Sequence, residues 1–415
     1  MNVLLHTFGC KANQYDTEVV RQRLEDAGCR IVGTAEEADA AVVNSCTVTH
    51  VAEAKMRGLV RRIARQRPGL RTVVMGCAAA LDEGRIAALP GVTAVVGGAD
   101  PERVAEALGA TGAAAGVLRG FSDSSRAWLK VQDGCDEHCT FCATTLARGD
   151  HRSRDPEAIV EEAHALAQRH AEIVLTGVHI GAYGSDRDDE ITLSRLAALL
   201  IELVPLVRFR LSSVEATELD DLMERLMLES PDRLAPHLHA PLQSGSDVVL
   251  KRMGRHWYTK DEYRRRAERL SERVHPLGLG ADVIVGFPGE TDADHRATVG
   301  LVEALPFTYL HVFPYSPRDG SAAPRLGAPP PPDVVRGRSG ELRALAAGKA
   351  AAHRASRIGG PADLVLEARR AGLRDALTED YLTVQIPADA PWALGRGRVT
   401  GRLVQSGNSL RAEAA

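Results

Sequence analysis

Apolar and polar positions along this chain fall into two alternating kinds of run, and their order outlines an architecture. In the first hundred residues, short apolar runs occur at Val3–Phe8, Ala40–Val43, Thr72–Met75 and Ala94–Val96, bounded by glycine or polar residues. Their length and β-branched content predict strands. Between them, Tyr15–Asp26, closed by Gly28, and Val51–Arg67 carry the three-to-four-residue spacing of amphipathic helices. Short strands alternating with helices predict an open parallel α/β sheet.

A second series runs from residue 126 to residue 320. Strand patterns at Trp128–Val131, Ile173–Thr176, Val207–Leu211, His237–Ala240, Ala281–Val285 and Tyr309–Phe313 alternate with helical ones at Pro156–His170, Leu193–Leu203, Leu219–Leu228, Asp261–Val274 and Asp292–Leu305. Six consecutive β/α units predict a partial or full barrel with its chemistry at the strand carboxyl ends. The Pro-, Gly- and Ala-rich stretch Gly320–Asp333 marks a boundary or loop, and Val334–Arg357 reads as a helix. Beyond Ala362, short β runs at Leu364–Leu366, Tyr381–Ile386, Gly397–Val399 and Leu403–Val404 predict a small β-barrel.

Composition narrows the class. The 415 residues require two or three domains, and 44% apolar with 26% charged residues is ordinary for a soluble protein. Uninterrupted apolar runs of about 18 residues are missing, so no membrane span is expected. The start MNVLLHTFGCK lacks the pattern of a secretory signal, which makes a cytoplasmic location the expectation. A net charge of −4 means that any RNA affinity rests on local patches. Candidates are Arg57, Arg61, Arg62, Arg65 and Arg67 on one helix, and Arg148, Arg152 and Arg154 in one loop, whose guanidinium groups suit a phosphate or a ligand carboxylate alike; both sets also read as solvated charged faces.

Cysteine placement changes the picture most. All seven cysteines lie in the first 142 residues, and an odd number in such a chain argues for metal or cluster ligation over disulfides. Cys10, Cys46 and Cys77 each follow a predicted strand, 36 and 31 residues apart. Because parallel strands share one carboxyl edge, these three are expected to gather there. Cys29 follows a helix-ending glycine and reads as a packing residue. The segment Gln132-Asp133-Gly134-Cys135-Asp136-Glu137-His138-Cys139-Thr140-Phe141-Cys142 has the spacing C-x3-C-x2-C directly after a strand. Three thiolates on one loop suit three irons of a cubane and leave the fourth open. The alternative is a zinc site with His138 as a fourth ligand.

This loop resembles the signature of the radical S-adenosylmethionine superfamily, with Phe141 as the aromatic beside the last cysteine. The resemblance implies that Cys135, Cys139 and Cys142 are catalytic cluster ligands, and that S-adenosylmethionine binds the open iron and is cleaved to a 5′-deoxyadenosyl radical. Nearly the whole chain is similar to the methylthiotransferases. That likeness rests on Gly9-Cys10-Lys11-Ala12-Asn13-Gln14-Tyr15-Asp16-Thr17-Glu18, Asn44-Ser45-Cys46-Thr47-Val48-Thr49, Gly76-Cys77, Ala147-Arg148-Gly149 with Arg152-Ser153-Arg154, Leu175-Thr176-Gly177-Val178-His179-Ile180-Gly181-Ala182-Tyr183-Gly184, Pro241-Leu242-Gln243-Ser244-Gly245-Ser246, Asp282–Thr291 and His311–Ser316. The residues Ala143-Thr144-Thr145-Leu146 depart from the family's usual Ile-Ile-Pro-Tyr.

The family likeness implies two 4Fe–4S clusters and S-adenosylmethionine as cofactors, with Cys10, Cys46 and Cys77 holding an auxiliary cluster that carries the transferred sulfur. With Phe141 of that signature, Gly177 and Ser213 at strand ends and Gln243 and Ser244 just after a strand are expected to contact the cofactor, Gly177 reading equally as a plain turn glycine. Expected units are residues 1–110 for the auxiliary cluster, 122–350 for the radical domain and 355–415 for an RNA-binding barrel similar to the TRAM domain. Partners implied are the anticodon loop of tRNA and an electron donor such as flavodoxin or ferredoxin, with a monomer favoured. The motifs Cys-Lys-Ala-Asn-Gln-Tyr and Cys-Thr-Val-Thr look like the branch acting on N6-threonylcarbamoyladenosine at tRNA position 37. Isopentenyladenosine-37 and a ribosomal-protein aspartate are the other substrates in the family, and a metal-stabilised RNA-binding module is the non-enzymatic alternative.

Overall fold

The N-terminal sheet is parallel throughout, in the order β2-β1-β3-β4-β5, with β1 at Asn2–Thr7, β2 at Arg30–Val32, β3 at Ala40–Ser45, β4 at Arg71–Gly76 and β5 at Val92–Gly97. The computed structural model describes residues 1–82, 84–110, 116–122, 124–370, 372–394, 397–407 and 409–414. Position 83 of the expected first unit, 123 of the second, and 371, 395–396, 408 and 415 of the third lie outside these residues. Strand β3 is buried along its whole length, as its Ala-Ala-Val-Val run requires of a central strand covered on both faces. Helices α1 (Lys11–Asp26), α2 (His50–Gln66), α3 (Cys77–Ala80) and α4 (Pro101–Ala107) connect the strands, and separate apolar clusters fill the two faces of the sheet.

Helix α1 begins at Lys11, four residues before the apolar period that announces it, because the chain turns directly from Cys10 into the helix. Edge strand β2 was not expected. Its three residues are too short to show a period, and pairing with β1 alone defines them. Cys29, just before it, is half-buried and packs with the apolar cluster on one sheet face.

All six expected central strands form, as β6 (Arg126–Lys130), β9 (Glu172–Thr176), β10 (Arg208–Leu211), β11 (His237–His239), β12 (Gly278–Val285) and β13 (Tyr309–Pro314), while the two-residue β7 (Gln132–Asp133) and β8 (Arg152–Ser153) pair beside the cysteine loop. Two three-stranded parallel sheets, β6-β9-β10 and β11-β12-β13, are joined by bridges Phe209↔Leu234 and Ser213↔His239. The result is a six-stranded partial barrel. Its helices start at side-chain caps: Asp155 on α5 (Pro156–Ala167), Thr192 on α6 (Leu193–Leu203), Thr259 on α7 (Lys260–Arg273) and Thr291 on α8 (Asp292–Ala304). Tyr15 of α1 belongs to the barrel's own apolar core, so the N-terminal sheet is packed onto the barrel rather than tethered to it.

After the long helix α9 (Pro332–Arg357), five strands close a small barrel: β14 (Pro361–Arg370), β15 (Leu373–Leu377), β16 (Thr383–Pro387), β17 (Arg398–Ser406) and β18 (Ser409–Ala414). The runs Gly397–Val399 and Leu403–Val404 are not two strands. They form the single strand β17, because Thr400–Arg402 pair with β14 and β18 despite their polar character. This barrel seals the amino-terminal mouth of the central one. Arg208 and Arg210, both buried, bind Glu172 and reach Asp363, Thr378 and Glu379 of the C-terminal part at 2.9–3.0 Å. Tyr381, held at φ +72°, stacks on His237 with ring centroids 4.3 Å apart. No helix among the described residues is long and apolar enough to cross a membrane.

Candidate active site

The carboxyl edge of the N-terminal sheet faces the carboxyl mouth of the partial barrel across one cavity of about 570 Å³. Cys10, Cys46 and Cys77 line it from the sheet side; Gly177, Ser213, His239, Asp282, Tyr309 and His311 line it from the barrel side; Tyr381 reaches it from the C-terminal barrel. Cys10 caps α1, Cys46 follows β3, and Cys77 opens α3 after Gly76. Gly76 sits at φ +95°, and a Cβ there would lie 2.1 Å from Asn44 Oδ1 and 2.6 Å from the Ser45 carbonyl. Glycine is therefore required for Cys77 to turn inward. Asn13 stands behind the thiols, its Oδ1 3.9 Å from Cys10 Sγ and 3.7 Å from Cys77 Sγ, while its Nδ2 donates to the Ser45 carbonyl at 2.9 Å.

The central thiols lie on the loop after β7 and do not themselves line that cavity; Thr144 and Arg148, just beyond them, do. Gly134, at φ +72°, lets the loop pass Asp150, whose carbonyl would be 1.8 Å from any Cβ. Gln132 braces the loop from below: its Nε2 donates to the carbonyls of Asp133 and Gly134, and its Oε1 accepts from the amides of Val178 and His179.

N–H groups converge on the sulfurs of both sets. The Val48 amide lies 3.4 Å from Cys46 Sγ, the Glu137 amide 3.4 Å from Cys135 Sγ and the Thr144 amide 3.3 Å from Cys142 Sγ. Arg148 Nε approaches Cys77 Sγ at 3.2 Å and Arg255 Nη1 approaches Cys139 Sγ at 3.5 Å. His179 Nδ1 is 3.8 Å from Cys135 Sγ, and its Nε2 contacts Glu218. Burial opposes the charged form of His179, but these two partners raise it to about 10. Burial pushes the Cys77 thiol up to about 11 and the Cys139 thiol up to about 12 in spite of the nearby arginines. Such thiols are poor free nucleophiles and become thiolates when a cation binds.

Arg148 joins the two cysteine sets. Its guanidinium donates to Asp133 of the central loop at 2.9 and 3.0 Å, and to Asn13 and Asp16 of α1 at 2.7 and 2.8 Å, besides Cys77. Lys130 bridges Asp16 and Asp133 from the other side at 2.6 and 2.9 Å. Burial alone would raise the Asp133 carboxyl; the two cations hold it down to about 2. The solvated-loop reading of this arginine cluster is thus wrong for Arg148, whose side chain is only 5% exposed. It is also wrong for Arg154, which binds Glu162 and the Tyr15 hydroxyl at 2.8 and 3.1 Å. Exposed Arg152 donates to the backbone carbonyls of Asp150 and Arg148.

Of the other residues singled out in the sequence, Gly177 and Ser213 meet at the cavity, and Ser213 is exposed in it. A Cβ on Gly177 would lie 2.7 Å from the Gln132 carbonyl, so packing alone demands that glycine. Phe141 does not line the cavity and packs against the cluster of Val249, Met253 and Phe287. Ser244 is buried with its hydroxyl toward Thr298 and the Ser246 amide, and Gln243, at φ +60°, bridges by its backbone to β12. His138 is exposed on the loop. Sequence reasoning missed the barrel-lining His239, Asp282, Tyr309 and His311. Asp282 accepts from both imidazoles at 3.0 and 3.1 Å and is held well below the usual carboxylate range, and Tyr309 hydrogen-bonds His237 and His239 at 2.8 and 3.0 Å. Their common signal is the period-two placement of His237 and His239, and of Tyr309 and His311, on strands that enclose a lumen.

Among the described residues, the His/Cys/Asp/Glu group whose ligand atoms all lie within 4.8 Å of one another is His239, Asp282 and His311; neither cysteine triad is that tight. A tetrahedral zinc needs thiolates about 3.8 Å apart at its ~2.3 Å bonds.

Two family descriptions match the chain: "Uncharacterized protein family UPF0004" over residues 2–98 and "Radical SAM superfamily" over residues 129–302. The threonylcarbamoyladenosine tRNA methylthiotransferase MtaB of Bacillus subtilis (strain 168) is 39% identical over 343 residues, covering 78% of this chain and 75% of the relative. The tRNA-2-methylthio-N(6)-dimethylallyladenosine synthase of Fervidobacterium nodosum is 31% identical over 78% of this chain and 77% of its own length. Among solved structures, the radical S-adenosylmethionine methyltransferase TsrM of Kitasatospora setae, with cobalamin and a [4Fe-4S] cluster bound, shares the fold with a TM-score of 0.58, 14% identity and coverage of 75% of this chain and 74% of that one. The chain belongs to the tRNA methylthiotransferase family of radical S-adenosylmethionine enzymes.

Proposed function

We propose that this chain adds a methylthio group to C2 of N6-threonylcarbamoyladenosine at position 37 of tRNA, using S-adenosylmethionine and two 4Fe–4S clusters. The observation that carries the reading is the single cavity onto which the thiol-bearing edge of one sheet and the mouth of the barrel both open. Cys135, Cys139 and Cys142 hold the first cluster, and Cys10, Cys46 and Cys77 the second. The donor set fits: three soft ligands each, sulfurs too far apart for one zinc, and N–H donors aimed at sulfur, which is how a protein stabilises cluster charge. When bound, these groups supply the electron and open iron that cleave S-adenosylmethionine and the iron that carries the sulfur, a radical route suited to a C–H bond with no acidic proton.

The protein's own part is binding, orientation and exclusion of water. Gly177 and Ser213 border the space for S-adenosylmethionine; Phe141, Gln243 and Ser244 shape the surrounding loops through packing and backbone. An unpaired anticodon-loop base enters the cavity between the two sites, where the rings of His239 and Tyr309 offer stacking faces. The buried Arg208–Glu172–Arg210 floor closes the far end of the lumen to water. The C-terminal barrel, similar to a TRAM domain, holds the rest of the tRNA. A ferredoxin or flavodoxin delivers the electron to a cytoplasmic monomer.

Mass spectrometry of tRNA nucleosides from cells with and without the gene tests the reading. It requires loss of 2-methylthio-N6-threonylcarbamoyladenosine. Loss of the methylthio isopentenyl nucleoside instead assigns the other tRNA branch, and an unchanged nucleoside profile rejects tRNA as substrate.

A further inference from the structure

Two strong cations line the cavity, Arg148 and Lys11, and they differ in one respect. Arg148 is committed to Asp133, Asp16, Asn13 and Cys77. Lys11 is not committed: among the described residues no hydrogen bond or ion pair reaches its ammonium. The carboxylate whose field does reach it, Glu172, is already bound by Arg208 and Arg210. The imidazoles of His239 and His311, the other basic groups of the lining, both lean on Asp282. Lys11 thus stands half-buried and unbonded on the cavity wall; burial opposes its charge, Arg126 and Arg210 add to that, and the fields of Glu172 and the Cys10 thiolate work the other way. An ammonium in that position costs stability unless an anion enters.

We propose that Lys11 receives the carboxylate of the threonylcarbamoyl group and thereby selects this nucleoside over one with a hydrocarbon substituent; the inference rests on the function proposed above. The N6-threonylcarbamoyl group ends in one carboxylate, and the isopentenyl group has none. When a base is splayed into a cavity its own substituent travels with it, while the phosphates stay with the backbone outside. Lys11 springs from the wall beside Cys10, and the charged groups whose fields reach its ammonium, Arg126, Arg210 and Glu172, belong to the floor of the lumen, so the carboxylate is held on the lumen side of the cavity. Lys11 acts as a positioning and specificity residue. Three ammonium donors on a flexible stem suit a carboxylate at the end of a rotatable substituent.

The test uses the anaerobically reconstituted full chain, as wild type, Lys11→Gln and Lys11→Arg. The substrates are anticodon stem–loop RNAs carrying threonylcarbamoyladenosine, its methyl ester, or isopentenyladenosine. The expected result is a KM for the threonylcarbamoyl RNA raised about tenfold to a hundredfold in Lys11→Gln, the range for one lost charge-assisted contact. Lys11→Arg recovers most of it, and iron content and 5′-deoxyadenosine release match wild type. The methyl ester weakens wild type by a similar factor and adds nothing to the loss in Lys11→Gln, while affinity for the isopentenyl RNA is the same in all three proteins. Additive losses from ester and variant, an unchanged KM in Lys11→Gln, or a loss that tracks missing iron overturns the assignment of Lys11. If wild type leaves the threonylcarbamoyl RNA unmodified, the proposed function itself falls, and the inference with it.

Discussion

Cys10, Cys46 and Cys77 are brought together by strand ends 36 and 31 residues apart, whereas Cys135, Cys139 and Cys142 share one short loop. The first set exists because a parallel sheet delivers consecutive strands to one edge. Its geometry is therefore a property of β1, β3 and β4 in register. The second set is local in sequence, but it is no less dependent on its surroundings. Gln132 braces it from the strand just before, and Arg255 and His179 reach it from other segments. The difference teaches where each site is vulnerable: the sheet set through backbone register, the loop set through its braces. Arg148 is the point where the two dependences meet.

The largest effects come from removing one set at a time. Alanine at Cys135, Cys139 and Cys142 together should abolish both 5′-deoxyadenosine release and methylthiolation. Alanine at Cys10, Cys46 and Cys77 should abolish methylthiolation and leave 5′-deoxyadenosine release measurable by mass spectrometry. If the second variant still modifies tRNA, the two sets do not divide the labour.

Next come paired glycine substitutions that separate the backbones. Gly76→Ala forces a Cβ onto Asn44 and Ser45, and should lower the iron bound at the sheet set while the loop set stays filled. Gly134→Ala forces a Cβ onto Asp150 and should do the reverse. Each adds backbone strain of about 1–3 kcal/mol before any clash is relieved. Iron analysis with 5′-deoxyadenosine release reads the pair, and equal losses at both sites in either variant would contradict their independence.

Arg148→Gln strikes both at once. It leaves Asp16 and Asp133 with Lys130 alone, and a broken buried ion pair costs on the order of 3 kcal/mol. Thermal unfolding should show that loss, and Arg148→Lys should recover only part of it, because an ammonium cannot span the forked contacts. The smallest effect belongs to Arg152→Ala. Its exposed guanidinium meets only backbone carbonyls, so stability should change by less than about 0.5 kcal/mol.

Much of this organisation is legible in the amino-acid sequence. The six central strands, the barrel they form and the convergence of Cys10, Cys46 and Cys77 follow from period, length and strand-end position, which are local properties. What was illegible depends on partners distant in sequence. Arg148 reads as a ligand contact or a solvated charge, and not as a link to the first domain, because nothing local announces Asp16, 132 positions away. The docking of the C-terminal barrel through Arg208 and Arg210 is hidden in the same way, since a strand reading Arg-Phe-Arg-Leu suggests an exposed edge rather than a buried floor. The sequence shows strand β17 as two separate runs, because pairing and not polarity holds Thr400–Arg402 in line. Phe141 and Ser244 were expected at the cofactor, yet their side chains are taken up by packing and by neighbouring hydroxyls.

The division into two clusters is tested most directly by counting iron and recording Mössbauer spectra on protein purified and reconstituted without oxygen. Wild type should hold about eight irons as two 4Fe–4S clusters, and each triple-alanine variant about four as one. A wild-type protein with a single cluster, or with zinc at either set of thiols, would contradict it.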